Sequence, residues 1–255
     1  MLCRLWQDSV GSQSGYRADD CSGACHGERG DSAAHSLEQP ASLKQRSAWL
    51  LHIAELIQQH REELGRIITH EHGKPWKEAQ GEADYAASFF RYYADNVQHL
   101  GPQELSQTPH GYTWTVHHRP AGVAGLITPW NFPLAMLAKK FSAALAAGCG
   151  SVIKPSSRTP LTLIALFTLL EQVDLPSGKA NLILGPASEI SDVLCAHPAV
   201  RIISFTGSTA VGKKLAAATA PHLKRLSLEL VFSPHTISQH RLCGPLRLCA
   251  LCVKK

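Results

Sequence analysis

Between residues 41 and 230 the apolar positions recur first with a helical period and then with the short runs of strands. Leu50, Leu51, Ile53, Ala54 and Ile57 fall at helical spacing, and Leu64, Ile67 and Ile68 continue the stripe. Gly73 and Pro75 end it, glycine by supplying a left-handed cap and proline by refusing further helix. A second helix is predicted over 76–100. It carries Tyr85, Phe89, Tyr92 and Tyr93, an aromatic stripe expected to pack in the core.

From residue 112 the period changes. Strands are predicted over 112–116, 123–127, 151–153, 181–184, 201–205 and 226–230. Helices are predicted over 133–147, 159–173, 188–195 and 208–220. Strands and helices alternating at these lengths make right-handed βαβ units around a parallel sheet. The expected fold class is therefore α/β: N-terminal helices followed by a doubly wound, Rossmann-like parallel sheet.

The two ends do not follow this pattern. Residues 1–40 are rich in Ser, Gly, Asp and Cys without a sustained period and read as an irregular or disordered head. Residues 231–255 hold no acidic residue and form a separate tail with Cys243, Cys249 and Cys252. The expected organisation is thus 1–40, 41–230 and 231–255.

Composition narrows the function classes. A net charge of +5 is mild, and the basic residues are not interleaved with aromatics, so no nucleic-acid groove is expected. No apolar run approaches the ~18 residues of a membrane span, and the first residues lack the apolar core of a secretory signal. The expected location is cytoplasmic, with reduced thiols. Cysteines clustered at the two ends do not resemble the framework of a small secreted domain.

The candidate chemistry lies where strands give way to helices. Gly207 permits close backbone approach to a ligand, and Ser208 opens a helix whose free N–H groups favour an anion. Taken alone, the same residues make a glycine turn with a hydroxyl cap. Lys154 follows a strand at the carboxyl edge of the sheet, where its ammonium can reach a ribose hydroxyl or phosphate, or simply face water. Asn131, bracketed by Pro129 and Pro133, is placed either to donate to a developing oxyanion or to close its own turn. His70 and His72 are two residues apart and face different directions on a helix, so no metal site is expected. Cys21, Cys25 and His26, and the Cys249/Cys252 pair, are weak zinc candidates for want of a supporting fold.

Considered jointly, the motifs Thr128-Pro129-Trp130-Asn131-Phe132-Pro133, Ala146-Ala147-Gly148-Cys149, Lys154-Pro155, Phe205-Thr206-Gly207-Ser208 and Leu228-Glu229-Leu230 resemble the aldehyde dehydrogenase superfamily. They are most similar to its succinate-semialdehyde group, over about residues 42–230, including Gly73-Lys74-Pro75. The resemblance implies oxidation of a small-molecule aldehyde to a carboxylic acid with NADP or NAD. It assigns Asn131 to the oxyanion hole and Glu229 to the general base. It assigns Thr128, Pro129, Trp130, Lys154, Ser157, Gly207 and Ser208 to the cofactor groove, with Lys154 on the adenosine ribose and Ser208 on the pyrophosphate.

Two positions bear on specificity. A neutral Ser157 beside Arg158, where NAD-preferring members often have glutamate, removes repulsion of a 2′-phosphate. Lys139, where succinate-semialdehyde members often have arginine, keeps a positive charge for a substrate carboxylate but loses the bidentate fork. The resemblance stops at Leu230. Family members continue with paired glycines and later a Gly-Gln-x-Cys nucleophile, which is not found here. The expectation is a truncated chain without its catalytic half, inactive as a dehydrogenase, with the family's homo-oligomer interface lost. The alternative is a non-catalytic NAD(P)-binding fragment that partners a full-length homologue.

Overall fold

The structure, a computed structural model, describes residues 41–106 and 110–231. The expected head and the tail beyond Val231, with their cysteines, lie outside the described residues.

Three helices come first. Helix α1 (Leu43–Gln59) opens with a capping box in which Ser42 and Gln45 satisfy each other's backbone N–H groups. The apolar stripe predicted as continuous is broken at His60, so α2 (Arg61–His72) is a separate helix. Gly73 caps it at φ 81°, the left-handed conformation expected there, and donates its N–H to Thr69 at 2.9 Å.

Helix α3 (Trp76–Asn96) divides the expected aromatic stripe: Phe89 and Tyr93 are half-buried and pack against the core, but Tyr85 and Tyr92 do not. Tyr85 and Tyr92 are 50% and 60% exposed, while Ala79, Ala83, Ala86, Ala87, Phe90 and Ala94 form the buried face. Those positions also recur at helical spacing, and alanine lets neighbouring helices approach closely. Close packing, rather than side-chain size, selects the inward face here.

A 3₁₀ turn (Val97–Leu100) leads to the short strands β1 (Gln103–Glu104) and β2 (Thr115–Val116), which pair antiparallel as an exposed ribbon. The strand predicted over 112–116 is therefore reduced to two residues and stands apart from the main sheet.

The remaining elements wind around one parallel sheet. They are β3 (Val123–Ile127), α4 (Pro133–Ala146), β4 (Gly150–Lys154), α5 (Leu161–Leu170), β5 (Ala180–Leu182), α6 (Ala187–Ala196), β6 (Val200–Ser208), α7 (Thr209–Thr219) and β7 (Arg225–Val231). The strand order is β5-β4-β3-β6-β7, with every pairing parallel. The chain winds outward from β3 in one direction and then, from β6, in the other. This doubly wound topology puts its switch point between β3 and β6.

The alternation of β3 divides the core in two. Ala124 and Leu126 join Leu134, Leu137, Phe141 and the N-terminal helices on one face. Val123 and Ile127 join Ile190, Leu194, Ile203 and Leu215 on the other. Strand β6 runs three residues beyond its predicted end, so Gly207 and Ser208 are still paired, with Leu230 and Val231 of β7.

Candidate functional site

The carboxyl ends of β3, β4, β6 and β7 bring the predicted residues to one edge of the sheet. Ile127 is opposite Lys154 on one side and Phe205 on the other, and Thr206 is opposite Glu229. Thr128 donates its N–H to the Lys154 carbonyl at 3.2 Å, which extends this alignment into the loop after β3. Ligands in open α/β sheets bind outside this edge, beside the switch point.

Lys154 is only 4% exposed. Among the described residues its ammonium has one hydrogen-bond partner, the Pro155 carbonyl at 2.8 Å, and no carboxylate. Burial pushes its pKa down. The Thr128 hydroxyl beside it is buried without a hydrogen-bond partner. A buried cation short of acceptors and an orphaned hydroxyl fit a ligand that brings hydroxyl or phosphate oxygens. Ser157 and Arg158 follow on the surface without an acidic neighbour in the 154–159 segment.

The helix N-termini on this edge differ from one another. The Glu71 carboxylate receives the N–H groups of Leu161 (2.8 Å) and Thr162 (2.9 Å) at the start of α5. The Glu82 carboxylate receives those of Leu134 (2.9 Å) and Ala135 (3.2 Å) at the start of α4. Glu189 lies in the first turn of α6. Helix α7 alone among the four has no acidic residue in its first turn and no carboxylate cap among the described residues. Its cap is the Ser208 hydroxyl, 3.4 Å from the Val211 nitrogen. An anion arriving at the sheet edge therefore meets negative charge at α4, α5 and α6, and no acidic residue in the first turn of α7.

Gly207 serves close packing rather than unusual backbone angles. A Cβ placed there would lie 2.5 Å from the Phe205 ring. The strand runs into α7 without a loop, which holds Gly207 and Ser208 directly at the edge.

The Thr128–Pro133 loop is clamped from several sides. Trp130 stacks on His72 with centroids 5.5 Å apart, and the Arg158 guanidinium lies 5.6 Å from the Trp130 ring centroid. Lys74 donates to the Asn131 carbonyl at 3.1 Å, and its ammonium lies 3.7 Å from the Phe132 ring centroid. The Asn131 side chain is exposed and has no hydrogen-bond partner among the described residues, so its amide does not close the turn.

Glu229 accepts from Thr206 at 2.9 Å and is ion-paired with Lys139 at 2.5 Å. Burial raises its pKa, but the hydrogen bonds from Lys139 and Thr206 and the charges of Lys140 and Lys139 outweigh this. The carboxyl is held below the ordinary glutamate value. Lys139, expected to hold a substrate carboxylate, thus holds Glu229 in this structure. Lys140 is buried and donates to the Ser204 hydroxyl at 2.8 Å. Its pKa is lowered by burial, partly opposed by Glu229.

Sequence reasoning gave Glu71 and Glu82 no part in this edge, and it carried Lys74 and Thr206 only as members of motifs, without their partners Glu82 and Glu229. Thr206 lies one residue past the predicted end of its strand, so the pairing of Thr206 with Glu229 appears only with the observed length and register of β6 and β7. The Glu71 and Glu82 contacts join residues 90 and 52 apart in sequence, and no local pattern marks them.

Cys149 and Cys195 are both buried and both free. Cys149 immediately precedes β4 and Cys195 lies in the last turn of α6 before β6, so both belong to the amino edge of the sheet, opposite the site. Burial raises the Cys195 pKa. Among the described residues no group of three or more His, Cys, Asp or Glu could hold a metal ion, and no helix is long and apolar enough to cross a membrane.

Residues 27–237 match the aldehyde dehydrogenase family, a span that reaches beyond the motif-bearing residues 42–230 on both sides. The chain is 47% identical over 214 residues to the mitochondrial succinate-semialdehyde dehydrogenase of Arabidopsis thaliana, covering 81% of this chain and 40% of that one. It is 43% identical over 190 residues to the NADP(+) succinate-semialdehyde dehydrogenase of Saccharomyces cerevisiae, covering 73% and 38%. The crystal structure of an oxidoreductase from Marinobacter aquaeolei superposes with a TM-score of 0.79 at 51% identity, covering 84% of this chain and 44% of that one. The chain belongs to the aldehyde dehydrogenase family. It spans about 40% of the length of the curated relatives it matches.

Proposed function

We propose that residues 41–231 form an NAD(P)-binding domain that presents part of an aldehyde-oxidising site. The observation that carries this reading is Lys154: a buried, acceptor-poor cation at the carboxyl edge, on the strand next to β3 and at the same edge as the N-terminus of α7, whose first turn holds no acidic residue. Lys154 and Thr128 would hold the adenosine ribose, and Gly207, Ser208 and the first N–H groups of α7 the pyrophosphate. Pro129 and Trp130 would form the wall of the groove. Ser157 and Arg158 leave room and charge for a 2′-phosphate, which favours acceptance of NADP as well as NAD.

The bound nicotinamide would supply the hydride acceptor. This chain's own residues would supply the rest of the polar environment. The unpartnered Asn131 amide would donate to the oxyanion of a reacting carbonyl. Glu229, ionised at neutral pH, would accept a proton from the hydrolytic water. The names of the relatives, succinate-semialdehyde dehydrogenases, favour an aldehyde that carries a carboxylate, such as succinate semialdehyde. Covalent catalysis also requires a thiolate, and the two cysteines among the described residues, Cys149 and Cys195, are buried at the opposite edge. The 255 residues in themselves are accordingly proposed to bind the cofactor without turning over aldehyde.

Two assays on the 255-residue chain test this. Thermal unfolding with saturating NADP or NAD should show a raised midpoint. Succinate semialdehyde plus NADP should produce no reduced cofactor above background. An unmoved midpoint with both cofactors would sink the binding reading, and thiol-dependent turnover would sink the inactivity reading.

A further inference from the structure

We propose that Lys74 and Glu82 are positioning residues that fix the backbone from which the Asn131 amide projects. The inference rests on the oxyanion role given to Asn131 above, but its geometry stands without a cofactor.

Helix α4 begins without a cap of its own. Its N-cap is Phe132, which has no side-chain acceptor, and Pro133 has no N–H to donate. The first two available donors, Leu134 and Ala135, both go to one oxygen of Glu82 on α3. The other oxygen receives the Lys74 ammonium. Lys74 also donates to the Asn131 carbonyl at 3.1 Å and lies over the Phe132 ring. Two side chains from the α2–α3 segment therefore contact residues 131, 132, 134 and 135.

Both partners are removed from water, Lys74 at 6% and Glu82 at 2% exposure. A buried ion pair is a poor device for stability alone, because desolvation consumes much of the attraction. It is a good device for fixing geometry, since a pair that must stay satisfied tolerates few arrangements. The Asn131 amide has no partner of its own, so what the fold fixes is the backbone and the Cα–Cβ direction from which the amide projects. Among the described residues, the bond from Lys74, in the link between α2 and α3, is the hydrogen bond that joins residue 131 to the N-terminal segment. A donor displaced by about 1 Å can cost roughly a hundredfold in rate, which gives such a brace a function in a complete site.

The test is a ¹H–¹⁵N spectrum of the 255-residue chain, reading the Asn131 side-chain amide and the Trp130 indole. Trp49 and Trp114 serve as internal controls. Lys74→Met leaves Glu82 with its two N–H donors, so α4 stays capped. The expected result is that the Asn131 and Trp130 signals shift or broaden while the controls do not, and that Lys74→Arg restores them. Glu82→Gln, of the same shape, should give the same pattern. Unchanged Asn131 and Trp130 signals in Lys74→Met would overturn the proposal. So would movement of all four signals, or loss of folding in both Lys74→Met and Glu82→Gln, since the pair would then be a folding element only. None of these readings depends on cofactor binding, so failure of this proposal is distinct from failure of the cofactor reading.

Discussion

The Lys139 ammonium lies 2.5 Å from the Glu229 carboxylate and joins α4 to the end of β7. Thr206 completes the arrangement from the neighbouring strand at 2.9 Å. Both members of the ion pair are more than one-third exposed, so the contact contributes less than about 1 kcal/mol to stability. Its main effect is on the carboxylate itself.

Removing Lys139 should therefore move the titration of Glu229. Lys139→Ala deletes a hydrogen bond and a positive charge that lower this pKa, leaving burial, which raises it, less opposed. A ¹³C-detected titration should show the Glu229 carboxyl shifted upward. The sign for stability follows. A depressed folded pKa contributes stability above the ordinary carboxylate value and loses it as pH falls through the folded value. The variant should thus be closest to wild type in acid and farthest from it at neutral pH. A Glu229 titration unaffected by Lys139→Ala would contradict the pairing.

Lys154→Met should separate stability from binding. The buried ammonium has one backbone acceptor, so an apolar side chain of similar length should stabilise the cofactor-free chain by about 1 kcal/mol in denaturant unfolding. It should also remove affinity for the dinucleotide. The folded pKa of Lys154 lies below 10.5, so the unfolded state binds more protons in the window between the two values. Wild-type stability should gain from this group as pH rises through that window, and the methionine variant should lack the gain. A destabilised variant with intact binding would reverse the account of this residue.

Glu71→Ala tests the cap supplied to α5 by another helix. The substitution strands the N–H groups of Leu161 and Thr162, which the carboxylate satisfies, and also the Thr162 hydroxyl. A loss of about 1–2 kcal/mol is expected from chemical denaturation, as for removal of a good N-cap. A change within measurement error would show that water replaces the carboxylate at no cost.

Gly148→Ala should destabilise through two effects. The residue has φ +79°, and an added Cβ would lie 2.7 Å from the Arg46 guanidinium carbon. The backbone conformation alone costs a non-glycine residue about 1–2 kcal/mol. Arg46 would also have to move from its 3.2 Å bond to the Ala146 carbonyl. A variant as stable as wild type would mean that both the turn and Arg46 relax freely.

The sheet was legible because buried parallel strands read as short apolar runs between helical periods, as 123–127 and 151–153 do. The edge residues Asn131, Lys154, Gly207 and Glu229 were legible as motifs at strand ends. The inward face of α3 was legible only in part, at Phe89 and Tyr93: two periodic faces compete there, and side-chain size favoured the aromatic one over the alanines. The break at His60 was missed for a related reason: apolar spacing continues across it although the backbone does not. The brace of Lys74 and Glu82 and the cap from Glu71 were invisible for a different reason. A charged residue on a predicted helix reads as a solvated face until tertiary structure supplies its partner.

The most direct test of the central claim is calorimetric titration of NADP and NAD into the 255-residue chain and into Lys154→Met. The account predicts saturable, equimolar binding to the wild-type chain, with NADP accepted, and loss of that heat in the variant. Absence of binding by both cofactors, or equal binding to both proteins, would contradict the assignment of the β3–β6 edge as a dinucleotide site.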